Sequence, residues 1–194
     1  MRVVHLIDAW PAAPPPTTLA LLADAIGRLG DIEQHVIALG PSHLRHDLQS
    51  LGVTPYHATG APYGRSWLAP LGLRRALREI GRVDRVHCWS LGALLNSVLR
   101  LRGIPRLFSV TQPLPRRRIR LLRSVIHETH ATTTLLAISE AMRRDVITAG
   151  IDPQRVDLLR PSLDLSRVTP ARRGSLRQRW GLSDEDRVVV QLAE

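Results

Sequence analysis

The sequence predicts an α/β fold built on a doubly wound parallel sheet. Three observations lead there. Apolar runs of strand length alternate with segments whose apolar residues recur every three or four positions. The connections between them are short, as in repeated strand–helix–strand units with right-handed crossovers. The first run, Arg2–Ile7, hardly alternates, which suits a strand buried on both faces of a sheet.

The elements follow in order. Arg2–Ile7 is the first strand. Thr17 or Thr18 caps a helix with Leu19, Leu22, Ile26 and Leu29 on one face, stopped by Gly30. His35–Leu39 is the second strand. Leu44, Leu48 and Leu51 mark a helix closed by Gly52, and Val53–His57 is the third strand. Ala58–Pro70, rich in Gly, Pro and Tyr, reads as a loop. Leu73, Leu77 and Ile80 define a helix ended by Gly81. Arg85–Trp89 is a strand. Ser90 caps a helix with Leu91, Leu94, Leu95 and Val98 inward. Arg106–Val110 is a strand. Pro115 opens a helix carrying Ile119, Leu122 and Ile126. Thr134–Ile138 is a strand, Ser139 caps a helix ended by Gly150, and Val156–Leu159 is the last strand of this unit.

After Arg160 the pattern changes. Pro161–Arg173 is irregular. Leu176 and Trp180 fit a short helix closed by Gly181, and Ser183–Asp186 is a turn. Arg187–Leu192 then reads as a fresh buried strand. A lone strand cannot form its own core. It is expected either to open a second doubly wound domain or to fold back onto the first sheet.

Composition bounds the function. The chain has 194 residues, enough for one domain and the start of another. No apolar run approaches the roughly 20 residues that span a bilayer. Asp8 interrupts the N-terminal apolar run, so it does not read as a signal peptide. A single cysteine, Cys88, rules out an internal disulfide framework and points to a cytoplasmic setting. The net charge is +10, and all 27 basic residues are arginine. That balance suits either attraction to phospholipid or nucleic acid or merely a solvated basic shell. Nucleic acid is the weaker partner, because aromatic residues are only 4% of the chain and no recognition motif is visible.

The most specific passage is LAISEAMRRDVITAGIDPQRVDLLRPSLD, residues 136–164, followed by RRGSLRQRWGLSDEDRVVVQLAE. It resembles the retaining glycosyltransferases of group 1, or family 4, which have the two-domain GT-B fold. The first strand and VDRVHCWS are similar to that family as well. The resemblance implies that residues 1–165 are a Rossmann-like, acceptor-side domain. It implies that residues 166–194 are an interdomain linker and the first strand of a donor-binding domain whose remainder is absent. It further implies sugar transfer from a nucleotide-sugar donor with retention of configuration, no essential metal and no cofactor beyond the nucleotide sugar as substrate. The resemblance makes a lipid or a polysaccharide the expected acceptor class. A free-standing, non-catalytic module that recruits a partner chain or anchors at a membrane is the alternative.

The chain departs from the family pattern at three places. The first loop reads DAWPAAPPPTT, with four prolines where the family has a glycine pair. Proline removes the N–H donors such a loop uses. Thr111-Gln112 stands where the family often has a histidine, and Pro161-Ser162 replaces a hinge Asn-Gly.

Ligands of open parallel sheets sit beyond the carboxyl ends of the strands. That rule selects Asp8, Trp10, His87, Trp89, Thr111, Gln112 and Ser139 as the acceptor and sugar cleft. For His87 and Trp89 the competing reading is plain packing. Arg116, Arg117, Arg120 and Arg123 form a membrane or anion patch on one helix, where Arg116, Arg120 and Arg123 share a face. The same helix could instead be an ordinary surface element. The expected setting is the cytoplasm, with a peripheral position on the inner face of the cell membrane if the patch docks there. His127 and His130 lack a third ligand nearby, so no metal site is expected. Asp184-Glu185-Asp186 mimics a metal-binding DxD but lies in a turn, and Cys88 reads as inert packing.

Overall fold

The computed structural model describes residues 1–7, 32–39, 55–57, 69–129, 132–160, 177–183 and 185–189. The chain divides into two units, Met1–Ser162 and Leu163–Glu194.

The first unit is a seven-stranded parallel sheet. Its strands are β1 (Arg2–Ile7), β2 (Glu33–Ala38), β3 (Pro55–His57), β4 (Arg85–Cys88), β5 (Arg106–Val110), β6 (Thr133–Ala137) and β7 (Val156–Leu158). The spatial order is β3-β2-β1-β4-β5-β6-β7, with every neighbouring pair parallel. The chain winds outward from β1 to β3, returns to lay β4 beside β1, and winds outward the other way. That reversal makes the doubly wound, Rossmann-like sheet and puts its switch point between β1 and β4.

Four helices are described: α1 (Ala69–Ile80), α2 (Leu91–Arg100), α3 (Arg116–Glu128) and α4 (Glu140–Thr148). The first three each bury a stripe set by helical spacing, and α4 buries Val146 with Met142 and Ile147 partly buried beside it. In α1 the stripe includes Leu73, Ala76 and Ile80, and in α3 it is Ile119, Leu122, Val125 and Ile126. Most of these side chains join Val4, Leu6, Val86, Cys88, Phe108, Val110, Leu135 and Ala137 in one core. Strand residues alternate between faces, so His5, His87 and Ser109 lie on the opposite side of the sheet from this core.

The helix ends are settled by local chemistry. Ser90 and Ser139 cap α2 and α4, accepting from the N–H groups of Ala93 and Met142. Gly81 and Gly150 follow α1 and α4 with φ of 82° and 89°, a backbone that side chains other than glycine's strain to adopt. Arg2 closes the far end of α1. Its Nη1 donates to Ile80 O at 2.6 Å, while its Nε binds Glu33 at 2.8 Å and its backbone N–H binds Asp84.

One buried cation holds the middle of the fold. Arg106 is 2% exposed. Its Nε donates to Ser97 Oγ at 3.1 Å, and its Nη1 donates to Ile104 O and Thr132 Oγ1. Its Nη2 donates to Ser97 O and Leu101 O. All five guanidinium N–H groups are therefore engaged, several on the carbonyls that end α2, where the helix dipole favours a cation.

Several boundaries differ from the sequence reading. Helix α1 starts at Ala69, inside the stretch read as loop, and β2 starts at Glu33. In α2 the fully buried residues are Ala93, Leu94 and Ser97, while Leu91, Leu95 and Val98 pack at the margin of the core. The helix is turned because Ser97 must meet Arg106. The helices expected over 17–30 and 44–52 lie outside the described residues.

In the second unit a helical turn at 177–179 leads to Gly181, with φ 65°. Asp186 accepts from the Ser183 N–H and hydroxyl, at 2.6 and 2.9 Å, which builds the expected turn. The strand expected over Arg187–Leu192 is not formed across its described part, residues 187–189. Val189 is 94% exposed. A strand needs a neighbour to take its backbone groups, and the described residues of this unit supply none.

Candidate functional site

The switch point carries a polar cluster inside an apolar sheet. His5 of β1 stands opposite His87 of β4 in the parallel register. His5 is 3% exposed and His87 9%. Trp89 leaves β4 with its N–H on Leu6 O, and its ring returns over both imidazoles, 4.5 Å from His87 and 6.3 Å from His5 between centroids. The indole Nε1–H donates to His5 Nδ1 at 3.3 Å. Since Nδ1 accepts, the proton of neutral His5 sits on Nε2 and is donated to Gln34 Oε1 at 2.9 Å. His87 Nε2 pairs with Ser109 Oγ at 2.7 Å. The chain of contacts thus runs Gln34–His5–Trp89–His87–Ser109, across β2, β1, β4 and β5.

Both rings are held neutral. Burial lowers the His87 pKa from 6.5 to about 3, with the neighbouring His5 adding a smaller push the same way. Burial also lowers that of His5, partly offset by its bond to Gln34.

Around this cluster the carboxyl ends of β4, β5 and β6 make a rim. Trp89 is half-buried there, Thr111 is half-buried and Gln112 exposed beyond β5, and Ser139 follows β6. The N-termini of α2, α3 and α4 lie along the same rim, and such termini favour anions. Ser139 spends its hydroxyl capping α4. His87 lies within the sheet against Trp89, packed and hydrogen-bonded. Asp8 and Trp10, which follow β1 in sequence, lie outside the described residues. Arg116 and Arg117 begin α3 at the rim, Arg120 and Arg123 lie further along the helix, and all four are exposed.

A family model described as Glycosyltransferase Family 4 matches residues 16–167, well over half of the chain. The chain belongs to glycosyltransferase family 4. Its first unit has the architecture of the N-terminal domain of the GT-B fold. Solved structures agree on the fold. Anabaena Alr3699/HepE in complex with UDP-glucose matches with a TM-score of 0.72 at 15% identity, over 93% of this chain and 50% of that one. A glycosyltransferase from Rickettsia africae ESF-5 gives 0.64 at 11% identity, over 95% and 50%. Acinetobacter baumannii MurG gives 0.56 at 14% identity, over 88% and 48%. The chain spans about half the length of these proteins. No curated protein matches the sequence.

Within this family 4 chain, the sequence reading named Trp89, Thr111, Gln112 and Ser139, which lie along the rim, and His87 beneath it, but not the groups that His87 and Trp89 bind. His5, Gln34 and Ser109 escaped notice, although a histidine inside the apolar run RVVHLI was a visible signal. Arg106 was read only as part of a strand. Among the described residues no group of three His, Cys, Asp or Glu could hold a metal ion, and Asp186 of the DxD-like turn is engaged by Ser183. Also among the described residues, no helix is long and apolar enough to cross a membrane.

Proposed function

We propose that this chain supplies the acceptor-side half of an enzyme that transfers a sugar from a nucleotide-sugar donor to a lipid or polysaccharide acceptor. The observation that carries the reading is the half-buried Trp89 at the β1–β4 switch point, held by His5 and packed on His87. An indole fixed in this way offers an apolar platform for a sugar ring, and Thr111 and Gln112 add hydrogen-bonding groups beside it. Asp8 and Trp10, which follow β1 in sequence and lie outside the described residues, are assigned to the same cleft. Membership of family 4 supports the reaction class. Anabaena Alr3699/HepE binds UDP-glucose, which supports a uridine diphosphate sugar as donor.

The reaction must stabilise a departing diphosphate and an oxocarbenium-like centre. The helix N-termini on the rim suit the first charge. The donor itself belongs to a second domain of the kind residues 166–194 lead into. The protein works in the cytoplasm, peripheral on the inner face of the cell membrane. A second reading, a non-catalytic module that recruits a partner chain or anchors at a membrane, is favoured by the arginine row of α3.

Backbone amide shifts of the 194-residue chain, titrated with glucose- and N-acetylglucosamine-terminated oligosaccharides, test the cleft. The expected shifts cluster at Trp89, Thr111 and Gln112. Shifts confined to other surfaces contradict the assignment. Turnover of a nucleotide sugar by this chain alone would contradict the division of labour.

A further inference from the structure

His87 and Trp89 are two residues apart along one extended stretch, so their side chains fall on the same face of the sheet. Their ring centroids are 4.5 Å apart and their planes are tilted by 33°. Such packing sets the plane of the indole but not which edge faces inward. The outer torsion of a tryptophan is broad and roughly two-fold. A half-turn about it keeps a ring over His87 and carries the N–H to the other side. His87 does not make the choice, because its Nε2 is engaged by Ser109 Oγ at 2.7 Å. The directional bond comes from β1, where His5 Nδ1 accepts from Trp89 Nε1 at 3.3 Å. We infer that His5, with its tautomer set by Gln34, is a positioning residue that fixes the orientation of the Trp89 indole and through it the affinity for the acceptor sugar, a role that rests on the reading of Trp89 as a sugar platform.

Two features suit His5 to the task. The first is its tautomer. Gln34 Oε1, 2.9 Å from His5 Nε2, takes a proton there and keeps Nδ1 bare for the indole. A proton on Nδ1 instead would set two donors face to face at Trp89 and leave a bare Nε2 against an oxygen. The second is its fixed place. His5 is 3% exposed, and β1 is paired on both sides, with Val36 of β2 and His87 of β4 opposite His5. A side chain packed in the middle of a sheet has little freedom, so its direction passes to the ring it binds. The order of dependence follows. Gln34, at the amino end of β2, sets His5, and His5 sets Trp89. Of the three, Trp89 alone lies at the carboxyl ends of the strands, where ligands of such sheets bind.

Asparagine carries its amide where an imidazole has Nδ1. His5→Asn therefore keeps an acceptor for the indole, while His5→Phe keeps a ring and removes the acceptor. Gln34→Leu leaves His5 in place and releases its tautomer. Two readouts are taken on the 194-residue chain. One is the indole N–H resonance of Trp89, assigned as the signal missing from Trp89→Phe. The other is the Kd for maltotriose and for chitotriose, measured by titration. Backbone amide shifts remote from the cluster verify that each variant is folded. The expected wild-type indole N–H is hydrogen-bonded and slow to exchange. In His5→Phe and Gln34→Leu it moves towards a free indole and exchanges faster, and His5→Asn restores it in part. The Kd rises about fivefold in His5→Phe, the equivalent of one ordinary hydrogen bond, and by less than about twofold in His5→Asn. Equal effects of His5→Phe and His5→Asn on both readouts overturn the assignment, since they mean that His5 only fills space. If Trp89→Ala weakens binding and His5→Phe does not, the sugar platform stands and the positioning role is overturned. If the wild type binds neither sugar, or Trp89→Ala binds as the wild type does, the platform reading fails and takes the acceptor part of the role with it. The resonance alone then decides whether His5 orients the ring. Gln34→Leu, at a half-buried place on β2, carries the same test if His5→Phe fails to fold.

Discussion

The indole N–H of Trp89 donates to Nδ1 of His5 across the boundary where the sheet reverses its winding. This bond fixes a tautomer, orients an aromatic ring and joins the two halves of the sheet at the point where ligands of such folds bind. It also makes the cleft dependent on a histidine that a ligand does not touch.

Trp89→Phe keeps a ring and removes the donor. The expected cost is about 1 kcal/mol, from an acceptor left unmet in a buried place. The imidazole nitrogen shifts of His5 report the rest. In the wild type they should show an unprotonated Nδ1 and a protonated Nε2, and in the variant a mixture. A wild-type His5 protonated on Nδ1 contradicts the bond.

The two buried histidines make stability depend on pH with a definite sign. Both are neutral when folded, and His87 stays so down to about pH 3. Below about pH 6.5 the unfolded chain takes up protons that the folded chain refuses. Their contribution is full above that pH and falls as the pH drops, by about 1.4 kcal/mol per pH unit for one such group. Urea midpoints between pH 7 and 5 measure it, a window above most carboxylate titration. His87→Gln, which can still pair with Ser109, should flatten the slope. An unchanged slope contradicts the account.

Arg106→Met removes five hydrogen bonds, leaving the carbonyls of Ser97 and Leu101 with only their backbone donors, Leu101 N–H and Ile104 N–H. The expected loss is about 3 kcal/mol, because hydrogen bonds from a charged donor are worth more than neutral ones and five are lost together. Thermal and urea unfolding measure it. A loss below 1 kcal/mol would mean that water replaces the guanidinium.

Most of the fold was legible because its signals are local. The caps Ser90 and Ser139 and the stops Gly81 and Gly150 act within a few residues of their helices. The apolar stripe of α3 follows from spacing alone. The partners of Arg106 and His5 were not legible, since they come from other elements: Thr132 lies 26 residues from Arg106, and Gln34 lies 29 from His5. Only the sheet order brings them together. The strand expected at 187–192 has the right residues, but among the described residues none forms a neighbouring strand for 187–189. His87 shows a subtler limit. Its place at a strand end was read correctly, yet register and burial aim it at Ser109 and Trp89.

The central claim is that the Trp89 rim holds the acceptor while the donor is held elsewhere. The most direct test is steady-state transfer by the protein as its cell makes it, with UDP-glucose as donor and the cell's lipid and polysaccharide fractions as acceptor source. The account predicts acceptor-dependent release of UDP, and a Trp89→Ala variant whose acceptor KM rises at least tenfold with the donor KM unchanged. A variant that raises the donor KM while leaving the acceptor KM in place would contradict it.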